Sequence, residues 1–260
     1  MNYAHWIRRF TANRMNRPEP DWGAPLNISE AKRKALAWSL AEYQLGDGGG
    51  PCRLIAHNAE RLRASAAEIR RVTDLWFAEE GEHSRLLTGA VKRLSGTFVE
   101  TTYAFRMFCR VRKLFGVQFE MLVLLVVEIV STGYYRLIRR HAGDPPIEAM
   151  CRLILRDEAG HIAFHRDRLA ARHYPHGEPW WWRVAFHGLA HACAGFLWWG
   201  HGKCFRTLGA SYAELRGHVQ SGVHVFLRKL ARGPATAMEC SDERRAFATE
   251  RTLPVSEPAI

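Results

Sequence analysis

Two tetrads, Glu80-Gly-Glu-His83 and Glu158-Ala-Gly-His161, constrain this chain more tightly than any other feature. Each sets a carboxylate and an imidazole three residues apart. Residues at that spacing share one face of an α-helix, so within each tetrad the two side chains converge on one point. One Glu-x-x-His says little, because a solvated helix face laced with ion pairs explains it as well. Two of them, each on the second helix of a predicted helical pair, call for a fold that brings those helices together.

The surrounding pattern is all-α: strand signals are nearly absent and apolar residues recur at helical spacing. The first 28 residues contain Pro18, Pro20, Gly23 and Pro25 and read as an irregular N-terminal arm. A first helix begins at Ser29 and reaches Leu45, where the run Gly46 to Pro51 interrupts it, and helical pattern resumes from Cys52 to about Arg63. A second begins at Ser65, with Glu68 completing a capping box, and runs to Ser95-Gly96. A third spans about Ala104 to His141. Gly143-Asp144-Pro145-Pro146 supplies a turn, an N-cap and a first-turn proline for a fourth, which ends near His173. Two more helices are predicted near 180–200 and 211–231, and residues 233–260 read as a loosely ordered tail. The main four form two antiparallel pairs joined by a longer connection, which is a four-helix-bundle pattern over residues 29–173, extended to 232 by the C-terminal helices.

A dinuclear carboxylate site in such a bundle also needs one carboxylate from each of the other two helices. The turns allow a test. In the second pair the turn centres near Asp144 and Pro145, and Glu158 follows it by about 13 residues. Glu128 precedes it by a similar distance, whereas Glu120 lies eight residues further, roughly 12 Å along the axis. Glu128 is also embedded in Met121 to Val130, an apolar run where a lone carboxylate is costly unless paired or metal-bound. In the first pair the turn centres near Ala64. Glu80 follows it by 16 residues, Asp47 precedes it by 17 and Glu42 by 22. Spacing favours Asp47; helix continuity favours Glu42, which stays as the alternative.

The set of carboxylate, Glu-x-x-His, Glu, Glu-x-x-His resembles the ferritin-like non-haem di-iron carboxylate family over about residues 30 to 173. Glu79-Glu80-x-x-His83 and Asp157-Glu158-x-x-His161 look most like the two motifs of the acyl-carrier-protein desaturases. The resemblance implies two iron ions held by Asp47 (or Glu42), Glu80, His83, Glu128, Glu158 and His161, with dioxygen as co-substrate. It further implies that Asp157 orients His83 and that Glu79 orients His161. Ser131 and Thr132 follow Glu128 by three and four residues, where oxygenases and desaturases of the family often carry a catalytic hydroxyl beside the oxygen pocket. Leu87 stands where the ribonucleotide reductase small subunit has its radical tyrosine, and no Cys-rich rubredoxin part is visible. The implied function is a dioxygen-dependent oxidase or monooxygenase on an organic substrate, apolar or carrier-bound, with an external electron donor. A rubrerythrin-like ferroxidase or peroxidase and a metal-free membrane-surface scaffold are the alternatives.

Composition sets the remaining limits. A chain of 260 residues that is 47% apolar and 24% charged suits one globular domain with a sizeable core. The net charge of +11 points to an acidic partner. No nucleic-acid module is present, so Arg106, Arg110 and Lys113, with Arg112 nearby, read as a solvated helix end or a docking patch for an acidic carrier protein. Six cysteines without C-x-x-C spacing and no secretory h-region fit a reduced, cytoplasmic protein. His165 reads as an ordinary helix histidine. His187 and His191 lack the adjacent His-His pairs of a membrane histidine box. Val184 to Gly202 has no charged residue and lies between tryptophans, which fits a fifth covering helix or a homodimer interface better than a bilayer span, with peripheral membrane contact as the lesser alternative.

Overall fold

Helix starts in this chain are set by short polar side chains. Asn2, Ser29, Thr102, Asp144 and Ser211 each accept a hydrogen bond from the backbone N–H three residues on, which satisfies a donor the helix cannot use itself. The structure is a computed structural model and describes residues 1–46, 54–60, 66–171 and 180–232. Among these residues the fold is all-helical, with no strand. In chain order the helices are α1 (Tyr3–Met15), α2 (Glu30–Gln44), α3 (Ala67–Arg93), α4 (Tyr103–Arg112), α5 (Val117–His141), α6 (Pro145–Ala170), α7 (Trp180–Leu208) and α8 (Tyr212–Leu230).

α5 is the hub and packs against α4, α6, α7 and α8. α3 packs against α1, α2 and α6, and α2 also meets α7. α5 is long and apolar enough to cross a bilayer, yet 78% of its most apolar stretch is buried inside the protein, as in a core helix. Tyr134 shares a hydrogen bond of 2.9 Å with Ser39, which shares another of 2.9 Å with His201 Nδ1, so one polar chain ties α5, α2 and α7. Burial pushes His201 down to about 4, which keeps its imidazole neutral.

The core has two apolar clusters. The larger joins α2, α3, α5, α6, α7 and α8, and the smaller joins α1 to the first half of α3, the start of α5 and the end of α6. Their seam crosses three helices at one level. On α3 it falls between Trp76 and Leu86, on α5 between Met121 and Leu125, and on α6 between Leu155 and Ala163. Both tetrads lie in that seam, and Glu128 stands beside it, one turn into the larger cluster.

Several expectations are corrected. The N-terminal arm is not irregular throughout, because α1 buries Trp6 and Phe10 completely, and only the proline segment after it lacks helix. The third helix is two, α4 and α5, broken at Gly116, whose φ of +83° favours glycine. Asn58 Oδ1 then accepts from Val117 N at 2.7 Å and starts α5 in its place. Residues 54–59 are turn backbone rather than helix, since Glu120 takes the N–H groups of Ile55 and Ala56 at 2.8 and 2.9 Å. α3 has Ala66 at its N-cap without a side-chain bond. Ser65, Cys52 and the 233–260 tail lie outside the described residues.

Arg93, at the end of α3, locks the α5–α6 turn in place. It meets both oxygens of Asp144 at 2.9 and 2.7 Å and donates to the carbonyls of Trp22 and Ala24. Both side chains are buried, so removing one strands the other charge. Arg93→Met is expected to cost about 3 kcal/mol in urea unfolding, with native helix content retained by circular dichroism.

Candidate metal centre

Across the seam His83 of α3 faces His161 of α6, ring centroids 5.6 Å apart. Each imidazole uses its nitrogens differently. His83 turns Nε2 to Asp157 Oδ2 at 3.2 Å, and Nδ1 to Glu80 Oε2 at 3.4 Å and Glu158 Oε1 at 3.9 Å. His161 turns Nε2 to Glu79 Oε2 at 3.0 Å. Its Nδ1 lies 2.9 Å from Glu80 Oε1, 3.4 Å from Glu128 Oε2 and 3.8 Å from Glu158 Oε2. The pattern is crossed: the acidic residue before each tetrad glutamate meets the histidine of the other tetrad. An N–H donated outward leaves the inner nitrogen as a lone pair, the form in which imidazole binds a metal.

Glu80, Glu128 and His161 present ligand atoms that all lie within 4.8 Å of one another. Glu158, His83 and His161 are fully buried, Glu128 nearly so, and Glu80 is 13% exposed. Burial raises the Glu158 carboxyl well above the ordinary range, and the charges of Glu128 and Glu80 push the same way. Burial opposes charging of His161, yet Glu128 and Glu80 raise it well above the usual imidazole value. Burial also works against an ionised Glu80, but His161 and His83 hold it well below the usual carboxylate range. Glu158 Oε2 is buried with no hydrogen-bond partner, and Glu80 Oε1 and His161 Nδ1 face each other at 2.9 Å. Carboxylates and imidazole nitrogens converging on one buried point could hold a divalent cation of the iron, manganese or zinc kind.

The outer carboxylates are satisfied by α1 and its extension. Asn13 Nδ2 donates one hydrogen to Glu79 Oε1 at 2.8 Å and the other to Asp157 Oδ1 at 2.6 Å. Arg17 reaches Asp157 Oδ2 at 2.7 Å and Glu79 Oε1 at 3.6 Å. Arg156 adds a contact of 3.1 Å to Asp157 and donates to the Asn16 carbonyl. Burial opposes ionisation of Asp157, and His83, Arg17 and Arg156 overcome it and hold its carboxyl low. Sequence reading misses Asn13 and Arg17 because the nearby prolines mark the region as irregular. Trp6, Phe10, Asn13 and Arg17 nonetheless recur at i, i+4, i+7 and i+11, one helical face.

The other candidates fall in different places. Asp47 lies outside the described residues. Glu42 is half-buried on α2 with its carboxyl raised by burial, and its charge is felt by Tyr134. It is not in the cluster among the described residues. Ser131 donates to the Glu128 carbonyl at 3.0 Å and also reaches Glu158 Oε1 at 3.4 Å. Thr132 bonds back to the Ile129 carbonyl at 2.8 Å. His165 is buried edge-on to Trp76 at 5.2 Å, and burial and Arg168 keep it neutral. Glu120 belongs to another network, paired with Arg112 at 2.8 Å. Arg112 is therefore buried and leaves the basic stripe to Arg106, Arg110 and Lys113, all exposed. Comparison with protein-family models, with curated proteins and with solved structures found no match to this chain.

Glu158 and His161 both bind a proton more tightly in the folded chain than in the unfolded one. Their contribution to stability is full below their unfolded values and is lost as pH rises through the raised folded ones. Chelator-treated protein is therefore expected to lose stability from mildly acid to alkaline pH in urea titrations. Glu158→Gln flattens part of that slope.

Proposed function

We propose that the chain is a ferritin-like four-helix bundle, built from α2, α3, α5 and α6, that holds a dinuclear non-haem iron centre. In this reading it acts as a dioxygen-dependent oxidase or monooxygenase on an organic substrate, apolar or bound to a carrier. The observation that carries it is the crossed pairing of Glu79 with His161 and Asp157 with His83, around the inward-facing Glu80, Glu128 and Glu158. A solvated helix face has no use for such an arrangement, whereas metal-ligating imidazoles depend on it.

Charge supports the same reading. Two ferrous ions carry four positive charges, and Glu80, Glu128 and Glu158 supply three negative ones. A further carboxylate, Asp47 or Glu42 of α2, would supply the fourth. Iron bound by these residues would supply the redox chemistry of dioxygen, with electrons from an external donor. The protein's own side chains have distinct tasks. Glu79 and Asp157 keep each N–H on the outer side and each lone pair inside. Ser131 sets a hydroxyl beside Glu158 Oε1, within reach for passing a proton. The apolar clusters on both sides of the seam exclude water.

Purified protein is expected to contain about two irons per chain, with iron lost in Glu80→Ala and in Glu158→Ala. Ferrous oxidation with peroxide turnover and no organic product would replace the oxygenase by a rubrerythrin-like ferroxidase. Tight binding of a single zinc, or of no metal, would overturn the di-iron reading. Asn13→Ala and Arg17→Ala, which touch only the outer carboxylates, are expected to weaken iron binding by about tenfold or more in chelator competition.

A further inference from the structure

α7 carries an apolar face that none of the described residues covers. Its inner side packs on α2, α5 and α8 through Phe186, Ala190, Ala194 and Phe205, all buried. Its outer side bears Trp181, Val184, Leu189, Phe196 and Trp199, with Trp181 56% and Trp199 72% exposed. These positions, with the exposed Ala185, Gly188 and Ala192 between them, fall on one side of the helix and make a stripe about 27 Å long. A contiguous exposed stripe of this kind marks an interaction surface. Exposed Lys203 and Arg206 continue the same side of the helix beyond Trp199, whereas Arg183 points to the opposite side. No acidic residue occurs between Glu178 and Glu214.

We propose that this face docks the protein on an anionic lipid bilayer, with α7 lying in the plane of the interface. The buried inner side rules out a spanning role for the helix, because crossing would strip it from α2, α5 and α8. A second copy fits poorly on charge. Two α7 faces packed antiparallel set Lys203 and Arg206 against the Trp181 end, and packed parallel they set each of these cations against itself, with no carboxylate on α7 to offset either contact. Anionic headgroups offset both cations. Tryptophans at both ends of the stripe suit the headgroup level, and Leu189 and Phe196 between them suit the acyl boundary. The inference is independent of the metal centre.

The test uses the full chain with vesicles of phosphatidylcholine alone and of phosphatidylcholine mixed with phosphatidylglycerol. Flotation is expected with the mixed vesicles, weaker in high salt, and tryptophan fluorescence is quenched when the acyl chains are brominated. The double variant Trp181→Ser/Trp199→Ser is expected to lower partitioning by about tenfold or more. The charge variant Lys203→Glu/Arg206→Glu, which leaves the apolar face whole, is expected to do the same. Unchanged circular dichroism verifies that each variant folds. Absence of flotation overturns the proposal, as does flotation that neither variant weakens. A dimer in sedimentation velocity that the serine variant dissociates, without vesicle binding, assigns the face to self-association instead.

Discussion

Five carboxylates and two imidazoles are buried within about a hydrogen bond's reach of one another, at the seam of an apolar core. Desolvating that much charge is among the largest single costs a fold of this size can carry. The structure meets it unequally. The outer pair, Glu79 and Asp157, face the two imidazole N–H groups, the Asn13 amide and the guanidiniums of Arg17 and Arg156. The inner three, Glu80, Glu128 and Glu158, face each other and the Nδ1 atoms of the two imidazoles. The outer half is satisfied by protein groups, and the inner half contains the three residues that could hold a metal ion.

Glu120 shows what the alternative looks like. It lies on the same helix as Glu128, eight residues earlier, and is just as buried. Arg112 and the backbone N–H groups of Ile55 and Ala56 fill its acceptor sites, so its charge is matched by fixed protein donors. That carboxylate is architectural: it pins the 54–59 turn to the start of α5. Two glutamates of one helix, in similar apolar surroundings, thus differ in kind through what their neighbours donate.

Much of this was legible in the sequence. The tetrads, Glu128 and the acidic residues before each tetrad glutamate could be picked out from spacing, from the turn at Asp144 and from resemblance. The turn-distance argument separates Glu128 from Glu120, and the structure sets Glu128 3.4 Å from His161 and Glu120 on Arg112. What escaped has identifiable causes. The break at Gly116 is hidden because apolar residues continue on both sides of it, and the cap that restarts the helix comes from Asn58, far away in the chain. α1 is hidden because prolines follow it closely, and its partners lie 66 to 161 residues away. Periodicity reports the face a helix buries, but not which distant side chains meet it there.

The Asn13 amide has a mechanical consequence. Its single nitrogen bridges a carboxylate of α3 and a carboxylate of α6, at 2.8 and 2.6 Å. Hydrogen bonds of that length tolerate only a few tenths of an ångström before they weaken. One planar group outside the cluster therefore works as a caliper on the two helices that carry the tetrads. The span between the histidines is gauged from a third helix, as a spacer sets the gap between two plates, and the pocket between them keeps its width whether or not anything fills it.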